Sequence, residues 1–214
     1  MGKKARLDAV LKYARKERDR ALRQKPSLSA SLNYRWGHTL RVVQRGMKLA
    51  KKESADVELV VVACILHDIA KLSNKSHGLE HGRIGAKKVR PILRQIGYKN
   101  KQIDAIAFAI ASHVDGKAGF EHPDTLEADI LNDADKLDRF SVYRTMLRLR
   151  SNVKGHRKYL LSVGKELDML KQYRKKPPMR TESGKKAFLK QLDLQITFLE
   201  QLLEDHELTV IPEL

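Results

Sequence analysis

Leu59 to Leu66 are eight consecutive apolar residues, and the run ends abruptly in His67-Asp68. A titratable pair at the end of a segment that otherwise reads as core is costly unless it is paired or holds a cation. Neutral imidazole and carboxylate are ligands for Zn, Mn, Fe or Co, so metal binding is one chemistry open to the pair. Other partners would also relieve the cost, and the pair alone is weak evidence. The wider pattern carries more. His38 lies one helix earlier, on a face with Val42 and Leu49. His81 and His113 each sit on the apolar face of a later helix, and Asp135 sits in LNDADKLDRF, where Ile130, Ala134 and Leu137 point inward. Singly, each has an ordinary explanation: His38 bonded to a carbonyl, His113 favourable at a helix C-terminus, His81 exposed beside a loop, Asp135 paired with Arg139 one turn on. Coincidence of all of them is less expected than of any one. Asp133 and Asp138 read as solvated or ion-paired, and His77, His122, His156 and His206 as surface residues.

The elements that must position these groups are helical. Leu7, Leu11, Ala14 and Ala21 form a thin stripe on a very basic first helix, which Pro26 stops. A second helix is expected from about Leu32 to Lys51. Ser54 or Asp56 can cap a third that runs through the apolar stretch to Lys71. Its valines make a buried strand the rival, but no other segment supplies a partner strand. A helix from Leu79 to Gly97 is kinked or split by Pro91, and His81, Gly85, Val89 and Ile92 share one face of it. Asn100 can cap the next, where Ile103, Ile106, Ile110 and His113 align. After the loop DGKAGFEHPDT a long helix is expected from Leu126 past Arg148, then one from His156 to Tyr173. RKKPPMRTESGK reads as a flexible loop. The last helix, Lys185 to His206, carries a seam of Leu189, Leu192, Ile196, Leu199 and Leu203. A core stripe is its first reading and a homo-oligomer contact its second.

A chain of 214 residues can bury a core without disulfides. The single cysteine, Cys64, lies in the apolar run and fits a reducing compartment as a small core residue. The N-terminus has no signal-peptide h-region and no apolar run is long enough for a bilayer, so a cytoplasmic protein without membrane contact is expected. Lys and Arg outnumber Asp and Glu by 43 to 26, a net charge of +17 that attracts polyanions such as nucleotides or nucleic acid, or else is simply a solvated basic surface.

The ordered set His38, His67-Asp68, Asp135, in the contexts WGHTLRVV, CILHDIAK and ILNDADKLDRF, resembles the HD superfamily of metal-dependent phosphohydrolases, over roughly residues 32 to 145. The resemblance implies an all-α HD-domain helical bundle in a single domain, 1–214, with additional helices at 1–25 and 150–214. It implies one or two divalent ions (Mn, Fe, Co, Ni, Mg or Zn), the first held by His38, His67, Asp68 and Asp135. His81 in EHGRIGA and His113 in IASHV fall where some members hold a second ion bridged by Asp68; failing that, they would contact substrate phosphate. The implied reaction is hydrolysis of a nucleotide or other small phosphate ester by a metal-activated water of pKa near ~7. Charge developing on the phosphoryl oxygens needs cations: Lys71 first, then Arg83 and Lys136, then Lys75, Lys117 and Arg139. Two other functions remain open at this point. One is the di-iron oxygenase chemistry of some superfamily members. The other is nucleic-acid binding by a basic HD protein, favoured by the first helix and RLRSNVKGHRK but not by the aromatic content of 6%.

Overall fold

The computed structural model describes residues 1–72, 78–151 and 155–208. All regular structure among them is helical: α1 Lys3–Gln24, α2 Ser29–Lys52, α3 Val57–Leu66, α4 His81–Ile96, α5 Asn100–Ser112, α6 Leu126–Arg139, α7 Val142–Ser151, α8 His156–Lys175 and α9 Glu182–Glu207. No helix among the described residues is long and apolar enough to cross a membrane. The chain divides into two compact units, Met1–Asp135 and Lys136–Leu214.

In the first unit α3 is the central helix, packed by α1, α2 and α5, while α4 lies along α5. Asp56 starts α3 by accepting from the backbone N–H groups of Glu58 and Leu59, so it, not Ser54, is the cap; Ser54 takes a left-handed φ of 56° just before it. Every residue from Val62 to Ala70 is buried, which explains why the run lacks the alternation of a surface helix. The α-helix stops at Leu66 and does not continue to Lys71. His67-Asp68 form a turn that leads into a short 3-10 segment, Ile69–Leu72. Gly97, at φ 93°, closes α4: its N–H reaches Arg94 O, and Tyr98 N–H reaches Leu93 O. Pro91 lies inside α4 without splitting it. Lys99 rather than Asn100 is the N-cap of α5.

In the second unit the expected long helix is two. The Ser141 hydroxyl donates to Asp138 O and accepts from Arg144 N–H, ending α6 and capping α7. Glu166, buried on α8, takes charge-assisted bonds from Arg148 and one from the Thr145 hydroxyl on α7. The RKKPPMRTESGK segment shortens to 176–181, because Thr181 caps α9 through Gly184 N–H. The α9 seam is core: Leu192, Ile196 and Leu199 are buried, and α9 packs on α8. Of the two readings for Asp133 and Asp138, solvated or ion-paired, burial rules out the first: both are fully buried and both have partners.

Candidate metal centre

His67 and Asp68 occupy the turn at the buried end of α3, where the helix no longer satisfies its last carbonyls. Cys64 O is one of these, and it accepts from His67 Nδ1 at 2.9 Å. The same device recurs twice. His81 Nδ1 meets Gly78 O at 2.6 Å, and His113 Nδ1 meets Ile110 O at 2.6 Å. A carbonyl oxygen only accepts, so each Nδ1 carries the proton and each Nε2 is left as a bare lone pair.

Those lone pairs converge on Asp68, whose two oxygens face different ways. On the Oδ2 side lie His67 Nε2 at 3.7 Å and His38 Nε2 at 3.9 Å. His38 Nε2 is also 3.2 Å from His67 Nε2 and 3.1 Å from Asp135 Oδ1. On the Oδ1 side lie His81 Nε2 at 3.5 Å and His113 Nε2 at 3.7 Å, themselves 3.2 Å apart. Two triads thus have ligand atoms mutually close enough to hold an ion: His38, His67 and Asp135, and His67, Asp68 and His113. The structure therefore gathers five side chains, from α2, the α3 turn, the start of α4, the end of α5 and α6, around the Asp68 carboxylate.

The donor set fits divalent ions. Two ligands each about 2.1 Å from one ion stand about 3.0–3.4 Å apart at angles from square to tetrahedral. The His38–His67 and His81–His113 separations fall in that interval. The two halves differ in how far they can manage alone. His38 Nε2 can donate to Asp135 Oδ1 or His67 Nε2. Across the other half two bare nitrogens face each other, and Asp68 Oδ1 is buried without a hydrogen bond among the described residues. Lys71 Nζ stands 2.8 Å from that oxygen as an ion pair but is not aligned to donate to it. Lys71 compensates the charge of that oxygen, but the two facing nitrogens still need a shared proton or a bound cation between them.

Burial keeps the His67 and His81 rings neutral. It pushes His67 from 6.5 to about 4 against the pull of Asp68 and Asp135, and it lowers His81 in the same way. Burial would raise the Asp68 carboxyl, but the facing His67 and His113 rings and the Lys71 ammonium outweigh it and hold it well below the ordinary value. Asp135 resists burial likewise through His38, His67 and His113, and falls to about 2. In the metal-free protein these shifts act in one direction. Between about pH 6.5 and 4 the unfolded chain takes up a proton at His67 that the folded chain refuses. Stability is complete above that window and declines through it by on the order of 3 kcal/mol; below it the two carboxylates continue the loss. Thermal melts of metal-free protein from pH 7.5 to 4.5 are expected to show a falling midpoint. A midpoint that is level or rising toward acid contradicts this assignment.

The cations sort unevenly. Lys71 is 31% exposed beside Asp68 Oδ1. Arg35 was not singled out from the sequence, yet its Nη1 lies 3.9 Å from Asp68 Oδ2 with the side chain 38% exposed. Its signal was available: Arg35 precedes His38 by three residues, about one helical turn on the same face. Arg83 is occupied, with Nε on Glu80 Oε2 at 2.8 Å and Nη1 on Asp115 Oδ1 at 3.0 Å and Lys117 O at 2.8 Å. Lys136 Nζ donates to Pro178 O at 2.7 Å in the second unit. Arg139 is exposed, and its carbonyl accepts from Arg148. Lys75 and His77 lie outside the described residues, as do 152–154 of the RLRSNVKGHRK segment and the side chain of His156.

An all-α domain that collects histidines and aspartates from five helical elements around a buried His-Asp turn belongs to a recognisable class of metal-site domains. Residues 35–139 match the HD domain family, so this stretch is an HD domain, of a superfamily whose members are typically metal-dependent hydrolases. Among solved structures it is similar to Bacillus subtilis YpgQ, at TM-score 0.64 and 18% identity over 96% of this chain and 97% of that one. The ADP complex of YpgQ is also similar, at TM-score 0.59 and 20% identity over 92% and 96%. So is a predicted HD superfamily hydrolase from an uncultured Thermotogales bacterium, at TM-score 0.57 and 21% identity over 79% of each chain. Identities this low speak for the fold. Among curated proteins it is 32% identical over 91 residues to a Haemophilus influenzae bifunctional uridylyltransferase/uridylyl-removing enzyme. It is 39% identical over 69 residues to an uncharacterized Methanocaldococcus jannaschii protein. The aligned residues are 36% and 30% of this chain and span only 10% and 37% of those relatives.

Proposed function

We propose that this protein is a metal-dependent phosphohydrolase acting on a nucleotide or another small phosphate ester, with His38, His67, Asp68 and Asp135 around one ion and Asp68, His81 and His113 around a second. The observation that carries this reading is the division of Asp68, one oxygen toward each group of bare imidazole nitrogens. When bound, divalent ions supply Lewis acidity and a source of hydroxide near neutral pH. The chain's own residues do the rest. The three backbone-held rings present Nε2 without reorganisation. Asp68 and Asp135 stay ionised at pH 7, so they hold charge in place and are poor proton acceptors. Lys71 and Arg35, on opposite oxygens of Asp68, are placed to neutralise the phosphoryl oxygens as charge builds on them. Arg83 and Lys136 are engaged elsewhere and take second place as phosphate ligands.

Nucleotides are favoured as substrates on two supporting facts: YpgQ is known in complex with ADP, and the Haemophilus relative is named for uridylyl transfer and removal. The net charge of +17 suits an anionic substrate. The test is elemental analysis of purified protein together with a hydrolysis screen over nucleoside mono-, di- and triphosphates. Expected are one to two equivalents of transition metal, and phosphate release that chelation stops and metal restores. Metal-loaded protein that releases phosphate from no member of the panel, or activity indifferent to chelation, overturns the reading.

A further inference from the structure

The half of the centre formed by Asp68 Oδ1, His81 and His113 depends on how tightly α4 lies against the last turn of α5. His81 opens α4 and His113 directly follows α5, so the gap between their Nε2 atoms is set by the spacing of those two helices. Gly82 is the point of closest approach. A Cβ there would stand 2.8 Å from both Ile110 O and Ala111 O, and 3.1 Å from Val114 Cγ2. Two of the three are backbone atoms, which cannot swing aside. Ile110 O is also the acceptor that holds His113 Nδ1 at 2.6 Å. One carbonyl therefore both aims the His113 ring and touches the glycine beside His81. α6 reaches the same turn: Asn132 is buried, and its Nδ2 donates to His113 O at 3.2 Å. Its Oδ1 has no hydrogen bond among the described residues, which leaves this donation as the side chain's polar contact there.

We infer that Gly82 and Asn132 are positioning residues for this half of the centre, holding the α5 terminus from two different helices so that His81 and His113 meet over Asp68 Oδ1. Of the His38, His67 and Asp135 triad, His67 is aimed by Cys64 O and His38 meets Asp135 directly, although the His67 ring lies edge-on to His113 with centroids 5.2 Å apart. Disturbing either one should therefore empty one half and spare the other. The inference rests on the two-ion reading above, and the experiment separates the two.

The full-length chain is stripped of metal and titrated with Co²⁺, followed by its visible absorption and by elemental analysis after desalting. Wild type is expected to retain two equivalents, and Gly82→Ala one. Asn132→Leu keeps the branched heavy-atom shape and removes the donor, and it puts no Cβ against the α5 backbone as Gly82→Ala does. Its second equivalent is expected to bind about 10–100-fold more weakly, as for other residues that orient a ligand. Gly164→Ala on α8, where a Cβ meets open space, retains both equivalents. A purely structural role would lower the melting midpoint of Gly82→Ala without changing the stoichiometry below it. Two tight equivalents in Asn132→Leu, or in folded Gly82→Ala, overturn the positioning role while leaving the two-ion reading intact. A single equivalent in wild type overturns the two-ion reading itself and this inference with it.

Discussion

Asp68→Ala is expected to lose phosphate release on the order of 10³-fold or more and to purify with little bound metal. Its carboxylate lies within reach of both sets of rings, 3.5–3.7 Å from three of the four Nε2 atoms and 3.9 Å from the fourth. Removing it takes a negative ligand from each half at once. It also strands Lys71 and Arg35 without the anion that now holds them at the mouth of the site. Metal-borne charge stabilisation is worth several kcal/mol, and every 1.4 kcal/mol or so is tenfold in rate, which sets the size of the effect. Substituting Asp135 should cost less metal, because it belongs to the first half alone and is 26% exposed, where water can stand in for it. Metal content and rate are read from the same preparations. An Asp68→Ala protein that keeps both its metal and its activity removes the carboxylate from the centre and ends the hydrolase proposal in this form.

Leu66→Ala is expected to lower the stability of the metal-free protein by about 2–5 kcal/mol, the range for deleting a buried leucine that leaves a cavity. Leu66 is the last residue of α3, has no exposed surface, and sits among α3 neighbours that are buried on every side. The shift in thermal midpoint should be roughly 5–20 °C for a chain of this size. Because ligands to one ion come from five helical elements, an ion bound by the folded state alone adds stability by mass action, about 4 kcal/mol at a thousandfold excess over its dissociation constant. Adding metal should therefore recover much of the loss, and the recovery should vanish in the Leu66→Ala, Asp68→Ala double variant. Midpoints measured with and without metal in all three proteins check this. A Leu66→Ala midpoint within a degree or two of wild type would mean that the end of α3 is not packed as described.

The helices were largely legible because helical spacing leaves a periodic trace, and caps and breakers mark the ends: Pro26 after α1, Gly97 after α4, Asp56 before α3. Where local signals misled, a contact distant in sequence or a local hydrogen bond prevailed over propensity. No composition cue distinguishes Ser141 as a cap from Ser141 inside a helix. Its hydroxyl must choose between Asp138 O with Arg144 N–H and solvent, and the packing of α7 on α8 through Thr145, Arg148 and Glu166 makes that choice. Asp133 and Asp138 could be read as solvated or as ion-paired, because burying a carboxylate is costly unless it is paired, and pairing is invisible in one dimension. Arg83 looked like a free cation for the same reason, until Glu80 and Asp115 took its donors.

What the sequence determined by itself was membership of a type: histidines and aspartates of the right kinds, in order, each on a face that helical periodicity turns inward. Only the tertiary structure decided their arrangement: which oxygen of Asp68 faces which rings, that Arg35 reaches that carboxylate, and that Gly82 and Asn132 brace His113. Residue type and spacing set which face of a helix a side chain occupies, and that is local. Distances of 3–4 Å between atoms on different helices depend on how closely the backbones approach. That approach is set by side chains, and by the absence of one at Gly82, tens of residues apart in the chain.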